Sequence, residues 1–572
     1  MSIRLAVLLF GGYICFASPA ALPAGQVTSE AAIASAHSAA TAAGFEILAQ
    51  GGNAFDASIA VTATLAVVEP MGSGLGGGGF WLLHRASDDF QVMLDGRETA
   101  PAAASRDMYL NEQGEVIDGL SLNGALAAAI PGVPAALAHL AEKYGRLPLR
   151  QSLQPAIREA ENGFAVYPRF QQLLEFRKPH FNEAAKKIFL TADNEVPAIG
   201  TIIRQPALAA TLRRLAIGGR NGFYKGETAS RLLDAVSAAG GVWTQQDLEN
   251  YQVVERAPVT GSYRGARIIS AAPPSSGGIV LVEILNLLSG FDLDAMSPVQ
   301  RKQKVIEAMR LAYRDRAKYL GDSDFIEFDQ SRLTSMAYAD ELRKNISDRA
   351  TPSEFLDDEP VSEGQDTTHF SIIDQQGNRV SATLSINYPF GSGMVAAGTG
   401  ILLNDEMDDF SARPGKENAY GLIGSAANAI EPGKRPLSSM TPTFVEKDNG
   451  VLVIGTPGGS RIITMVLLAA LEYLHGRGGL EDWLALGRYH HQYYPDKIQF
   501  EKGALDTDEQ AELASMGYQL NERERNYGNM QAILQDANGR LQAASDPRWL
   551  GSAVVRTPEA VKNPPKNTEM MR

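Results

Sequence analysis

Apolar positions recur every three or four residues through much of the first two thirds of the chain, and every second residue in several stretches after about position 367. The helical spacing predicts helices at Ala31 to Gln50, Val133 to Tyr144, Leu153 to Asn162, Pro206 to Ile217, Glu227 to Ala239, Gly278 to Leu288 and Val299 to Tyr319. Gly51-Gly52-Asn53 reads as the stop of the first of these, and Asp56 as the cap of a further one. The first part is therefore expected to be mostly helical. Beyond it, Thr368 to Asp374 and Arg379 to Ile386 flank the turn Gln375-Gln376-Gly377-Asn378 and predict a hairpin. Further strands are expected at Gly450 to Thr456, Met530 to Leu534 and Leu541 to Ser545, with helices at Ile463 to Leu474 and Thr507 to Met516.

Two segments break the pattern. Thr351 to Asp366 (TPSEFLDDEPVSEGQD) is acidic, polar and contains two prolines, the composition of an exposed connector that would tolerate a cut. The first two dozen residues combine Arg4, an apolar stretch from Ala6 to Phe16, and small residues with proline from Ala17 to Ala24, as a secretory signal peptide does. The rival reading, a membrane anchor, needs a run of roughly 20 apolar residues. The expected organisation is thus a leader over 1–24, a large piece over 25–366 and a small piece over 367–572, in the periplasm or outside the cell.

Composition narrows the partners. The 572 residues are 44% hydrophobic and 21% charged, as in folded globular chains. A net charge of −14, with a pI near 5.2, repels nucleic acid and anionic membrane on average, so a small-molecule partner is expected. Cys15 is the only cysteine and lies in the leader. A mature chain would have no disulfide and no thiol nucleophile.

Candidate chemistry gathers where the connector meets the hairpin, at Gly364-Gln365-Asp366-Thr367-Thr368-His369-Phe370-Ser371. A threonine hydroxyl is a poor nucleophile without a base beside it. A free α-amine on the same residue, with a pKa near 8, can be that base. Cleavage of the Asp366–Thr367 bond would release it. Alternatively, two β-branched residues simply open a strand.

The chain resembles the γ-glutamyltranspeptidases. The resemblance rests on LGGGGF (Leu75 to Phe80), DGRETAP (Asp95 to Pro101), PPSSGG (Pro273 to Gly278), TTHFSIID (Thr367 to Asp374), NDEMDDFS (Asn404 to Ser411), RPLSSMTPT (Arg435 to Thr443) and TPGGSRI (Thr456 to Ile462), in that order. It implies the α/β, four-layer α/β/β/α sandwich of the N-terminal-nucleophile hydrolases, with two intertwined subunits made by self-cleavage before Thr367. It also implies transfer of a γ-glutamyl group from glutathione and related amides to water or an amine, with no metal or organic cofactor.

A γ-glutamyl donor presents an α-carboxylate, an α-ammonium and the amide to be cleaved. Arg97 offers a planar fork for the carboxylate, each charged hydrogen bond contributing roughly 1.5–3 kcal/mol. Ser438 and Ser439 resemble the family's hydroxyls beside it. The competing assignments are a salt bridge of Arg97 with Glu98 or Asp95, and a polar turn after Pro436. Glu406 and Asp409, three residues apart, could face one ammonium from a single turn, helped by Asn387; a calcium loop or solvated acids compete. Gly458 and Gly459 can aim two N–H groups at an oxyanion, and the resemblance assigns them that hole. No lysine follows to make a phosphate loop, and LGGGGF lacks the preceding strand and spacing of a dinucleotide fingerprint. Ser385 stands where the family commonly has a second threonine hydroxyl that assists processing. Pro414 to Pro436 resemble a lid, with Tyr420 as its closing aromatic. His369, His490 and His491 lack metal spacing and are expected to be structural. Two other functions compete: an acylase of the same ancestry acting on glutaryl cephalosporins, and an uncut, inactive secreted homologue.

Overall fold

Two antiparallel sheets lie face to face in the computed structural model, which describes residues 28–353, 367–413, 418, 422 and 424–559. The first runs in the order Ser552–Arg556, Ala31–Ser35, Thr368–Ile373, Arg379–Ser385, Gly78–Arg85, Phe90–Asp95 and Val254–Arg256. The second runs Leu541–Ser545, Gln531–Gln535, Gly450–Gly455, Thr443–Lys447, Ala266–Ser270 and Val259–Tyr263. Helices Ser38–Ala49 and Ala54–Val68 cover the outer face of the first sheet, and Gly277–Leu288 and Ile462–Leu474 cover that of the second. The layering is α/β/β/α.

Strand alternation divides the core accordingly. In Ala31–Ser35, Ala31 and Ile33 pack with the helices of the first sheet, while Ala32 and Ala34 face the second sheet. Phe370 and Ile372 likewise face the helices. Because both faces of these strands are covered, they carry no outward polar row, and periodicity alone cannot separate them from helix.

That ambiguity explains the main departures from expectation. The helix expected from Ala31 to Gln50 is a strand, Ala31–Ser35, followed by a helix, Ser38–Ala49; the alanines pair with Ser552–Arg556 on one side and Thr368–Ile373 on the other. The first two thirds also contain the unforeseen strands Gly78–Arg85, Phe90–Asp95, Val254–Arg256, Val259–Tyr263 and Ala266–Ser270. LGGGGF does have a strand, but it begins at the third glycine, Gly78, rather than preceding the motif. The cap of the second helix is Asn53, with Asp56 completing a reciprocal capping box three residues later. The hairpin forms as expected, Thr368–Ile373 with Arg379–Ser385, as do the other helices to within a residue or two. The signal segment, most of the acidic connector and Tyr420 lie outside the described residues. Among the described residues no helix is long and apolar enough to cross a membrane.

Candidate active site

The hairpin register positions the nucleophile candidate. Ser371 pairs with Ser381 and His369 with Thr383, so the next pair in the series sets Ser385 opposite Thr367. Their hydroxyl oxygens are 3.2 Å apart. Ser385 Oγ also accepts the Asn387 backbone N–H at 2.8 Å, which fixes the serine hydroxyl toward the threonine. The glycines of LGGGGF serve this strand end: a Cβ on Gly77 would lie 2.1 Å from the Ser385 carbonyl oxygen, and one on Gly76 2.0 Å from that of Leu402. Thr368, on the opposite face, donates to the Glu69 carboxylate at 2.5 Å.

His369 faces the seam between the sheets rather than solvent. Its Nδ1 meets Thr383 Oγ1 at 2.8 Å and its Nε2 meets Ser371 Oγ at 3.3 Å. Burial pushes its pKa down to about 3, so it stays neutral. His490 is likewise buried, on Thr464 and Gln492.

One pocket joins the separated motifs. Thr367, Ser385, Asn387, Arg97, Glu406, Asp409, Ser438, Ser439 and Gly459 all line it. The 3₁₀ turn Glu406–Asp409 brings the two acids onto one side, as three-residue spacing requires in that helix. The other two acids point elsewhere: Asp405 accepts the Tyr388 N–H at 2.9 Å and Asp408 accepts the Ser121 hydroxyl at 2.7 Å. Among the described residues no group of three or more His, Cys, Asp or Glu side chains is arranged to hold a metal ion.

Arg97 is held from behind. Its N–H donates to Asp95 Oδ1 at 3.0 Å, its carbonyl accepts from Tyr251 at 2.7 Å, and its Nε donates to the Pro436 carbonyl at 3.1 Å. Asp95 is itself fixed by Arg256 at 2.8 Å. The front of the fork meets Glu406 and Asp409, the latter at 2.5 Å. The sequence separates a carboxylate subsite from an ammonium subsite; the fold makes them one cluster of opposite charges. Burial raises the carboxyl pKa of Glu406 to about 8 and that of Asp409 in the same direction, with Arg97 opposing both shifts.

Two further buried charges belong to this region, and the first of them was not foreseen. Arg316, on helix Pro298–Tyr319, lines the pocket and donates to Ser276 Oγ at 2.9 Å and Ser439 Oγ at 3.1 Å. Its position among helical arginines gave no sign of this. Glu98 lies 4.0 Å from Arg97, and neither of its carboxyl oxygens has a hydrogen-bond partner among the described residues. PPSSGG supports the serine pair, since the N–H and hydroxyl of Ser276 both donate to the Ser438 carbonyl, at 2.8 and 2.7 Å.

Gly458 and Gly459 have φ of 140° and 56°, values that disfavour other residues. Gly459 lines the pocket and Gly458 does not. Of the lid, Asn418 donates to Asp409 Oδ1 at 3.3 Å and Leu422 lines the pocket.

A threonine where a strand opens into the seam between two helix-flanked antiparallel sheets is the arrangement of the N-terminal-nucleophile hydrolases, and the fold belongs to that class. The profile of the family Gamma-glutamyltranspeptidase matches residues 40–555. The chain is 39% identical over 567 residues to the glutathione hydrolase proenzyme of Escherichia coli (strain K12), covering 96% of this chain and 97% of that one. Among solved structures, the γ-glutamyltranspeptidase of Helicobacter pylori is 39% identical with a TM-score of 0.54, covering 58% of this chain and 94% of that one. The cephalosporin acylase from Bacillus halodurans is 27% identical with a TM-score of 0.81, covering 96% of this chain and 99% of that one. The chain belongs to the γ-glutamyltranspeptidase family of enzymes.

Proposed function

We propose that this chain is a proenzyme that cuts itself before Thr367 and then transfers γ-glutamyl groups from glutathione and related γ-glutamyl amides to water or to amines. The observation that carries the reading is the pocket in which Thr367 faces Arg97, Glu406, Asp409, Ser438 and Ser439. Its charges complement the zwitterionic end of a γ-glutamyl group. In the uncut chain Arg97 and the two acids neutralise one another; a bound donor exchanges its carboxylate and ammonium into that network and replaces rather than breaks the pairing.

For processing, Thr367 Oγ attacks the carbonyl carbon of Asp366, the C–N bond breaks, and the threonine nitrogen takes the hydroxyl proton. Water hydrolyses the resulting ester, leaving pieces 25–366 and 367–572. Ser385 orients the attacking oxygen. For turnover, the new α-amine takes the Thr367 hydroxyl proton as Oγ bonds to the carbonyl carbon of the γ-amide, and Gly458 and Gly459 hold the oxyanion. The C–N bond breaks and the departing amine takes that proton. Water or an acceptor amine then gives a proton to the α-amine as it attacks, and Oγ recovers it when the ester C–O bond breaks. Asn387 supports the ammonium site and Tyr420 would close the lid. The leader over residues 1–24 would direct the enzyme to the periplasm or outside the cell.

The likeness to a cephalosporin acylase favours a second reading, acylase activity on glutaryl side chains. Glu406 and Asp409 count against it, because a glutaryl group has no ammonium for them. Intact mass and N-terminal sequencing of the protein and a Thr367→Ala variant test the main reading. A fragment beginning Thr-Thr-His-Phe, absent in the variant, supports it; an uncut chain that still hydrolyses a γ-glutamyl anilide refutes it. Competition between glutathione and a glutaryl amide separates the two substrates.

A further inference from the structure

The glycines Gly458 and Gly459 lead into the 3₁₀ turn Gly459–Arg461 and then helix Ile462–Leu474, with the Arg461 N–H closing on the Gly458 carbonyl at 3.2 Å. Side chains on a helix lean toward its N-terminus, so Met465, one turn in, reaches back over the residues that enter it. Its methyl fills the place a Gly458 side chain would take: a Cβ there would lie 2.4 Å from Met465 Cε. The same thioether backs Gly528, where a Cβ would lie 2.5 Å from its Sδ. Thr456 ties the two segments together as well, donating to the Pro457 carbonyl at 2.9 Å and accepting the Asn529 N–H at 3.1 Å.

We propose that Met465 is a positioning residue for acyl transfer: it wedges the Gly458-Gly459 turn against the loop at Gly528 and so fixes the direction of the two backbone N–H groups. The role rests on the γ-glutamyl-transfer reading above, in which those groups hold the oxyanion. Donors of this kind stabilise a developing charge only if they need not be moved as it forms. Two adjacent glycines have no side chains with which to hold themselves, and each has wide conformational freedom. The restraint must come from outside the turn. An unbranched thioether suits the irregular gap between two glycines, and Met465 is buried there. The wall it presses on is itself fixed: Arg488 donates to the Tyr527 carbonyl and to the Asp546 carboxylate, which also accepts the Met530 N–H at 3.0 Å. The turn is thus clamped between its own helix and an anchored loop.

The test measures kcat and KM for a γ-glutamyl anilide, per molecule cleaved before Thr367, in the parent, Met465→Ala, Met465→Leu and Leu474→Ala. Leu474 is buried at the far end of the same helix, so its truncation opens a cavity away from the turn. Met465→Ala is expected to lower kcat about tenfold, part of the hundredfold or more that loss of a whole oxyanion donor costs. KM should change less than twofold, because formation and breakdown of the acyl-enzyme use the same donors and slow together. Met465→Leu, which restores volume but not reach, should lose about threefold, and Leu474→Ala should lower Tm and keep the parent kcat. An unchanged kcat in Met465→Ala, a loss carried by KM, or an equal loss in Leu474→Ala overturns the role. Should Met465→Ala stay uncut, Met465→Leu decides, a parental kcat overturning the role and a threefold loss at constant KM supporting it. A cleaved parent that hydrolyses no γ-glutamyl anilide would instead remove the transfer reading on which the role stands.

Discussion

The hydroxyls of Thr367 and Ser385 face each other at 3.2 Å across the hairpin, at the end of a file of polar cross-strand pairs that continues through His369 with Thr383 and Ser371 with Ser381. The nucleophile candidate is therefore positioned by strand register rather than by a loop. Moving the pairing by one residue would turn Thr367 toward the helices.

Ser385→Ala removes the hydroxyl partner but not the register. Self-cleavage is expected to slow by roughly tenfold or more, one hydrogen bond to the attacking oxygen being worth about 1.5 kcal/mol. Turnover per cleaved molecule should fall less. Ser385→Thr should cleave at least as fast as the parent, because a β-branched residue holds its hydroxyl in fewer rotamers. Gel densitometry over time after synthesis measures both.

Arg97→Gln leaves Glu406 and Asp409 buried beside each other without their cation. Removing one partner of a buried pair costs about 3–5 kcal/mol. The variant is expected to raise KM for a γ-glutamyl anilide by about a hundredfold and to unfold at lower temperature. Arg97→Lys should recover little, since a single ammonium cannot reach both acids and the Pro436 carbonyl as the fork does. Steady-state kinetics with a thermal melt decides it.

Arg316 holds the Ser439 hydroxyl through a charged hydrogen bond at 3.1 Å. Arg316→Gln is expected to raise the donor KM about tenfold, more than it lowers kcat, while N-terminal sequencing still finds cleavage before Thr367. An unchanged KM would show that Ser439 needs no such support.

Glu98 gives the stability a pH dependence. Burial, and after it the charge of Glu406, hold its pKa well above that of an exposed carboxylate. Between the ordinary glutamate value and that raised one, the folded chain keeps a proton that the unfolded chain has released, so stability falls as pH rises through this window. Glu98→Gln should remove that part of the decline: little change in Tm at pH 4.5 and a rise of roughly 1–2 °C at pH 8. Calorimetry at the two pH values tests the sign.

Much of the site was legible because its residues cluster in short motifs whose chemistry suits one ligand. Thr367, Arg97 and the Glu406–Asp409 turn each stand in such a stretch, and the fold brings them into one pocket. Arg316 was not, for its signal lies in a long helix where an arginine ordinarily faces solvent. Strand Ala31–Ser35 was misread for a related reason: alanines covered on both faces carry neither period. Its identity depends on two partners hundreds of residues away, which no local pattern records.

That same strand bears on what a cut before Thr367 does to the molecule. Ala31–Ser35 comes from the piece preceding the cut, yet both its neighbours, Thr368–Ile373 and Ser552–Arg556, belong to the piece following it. Halves severed there would remain interleaved in one sheet. Their covalent link, once gone, survives only as hydrogen-bonded memory: heat or denaturant that separates them would turn a single-chain folding problem into a two-body encounter, dependent on concentration. Such an enzyme assembles as one chain and, after maturation, has lost the tether that made its first folding easy.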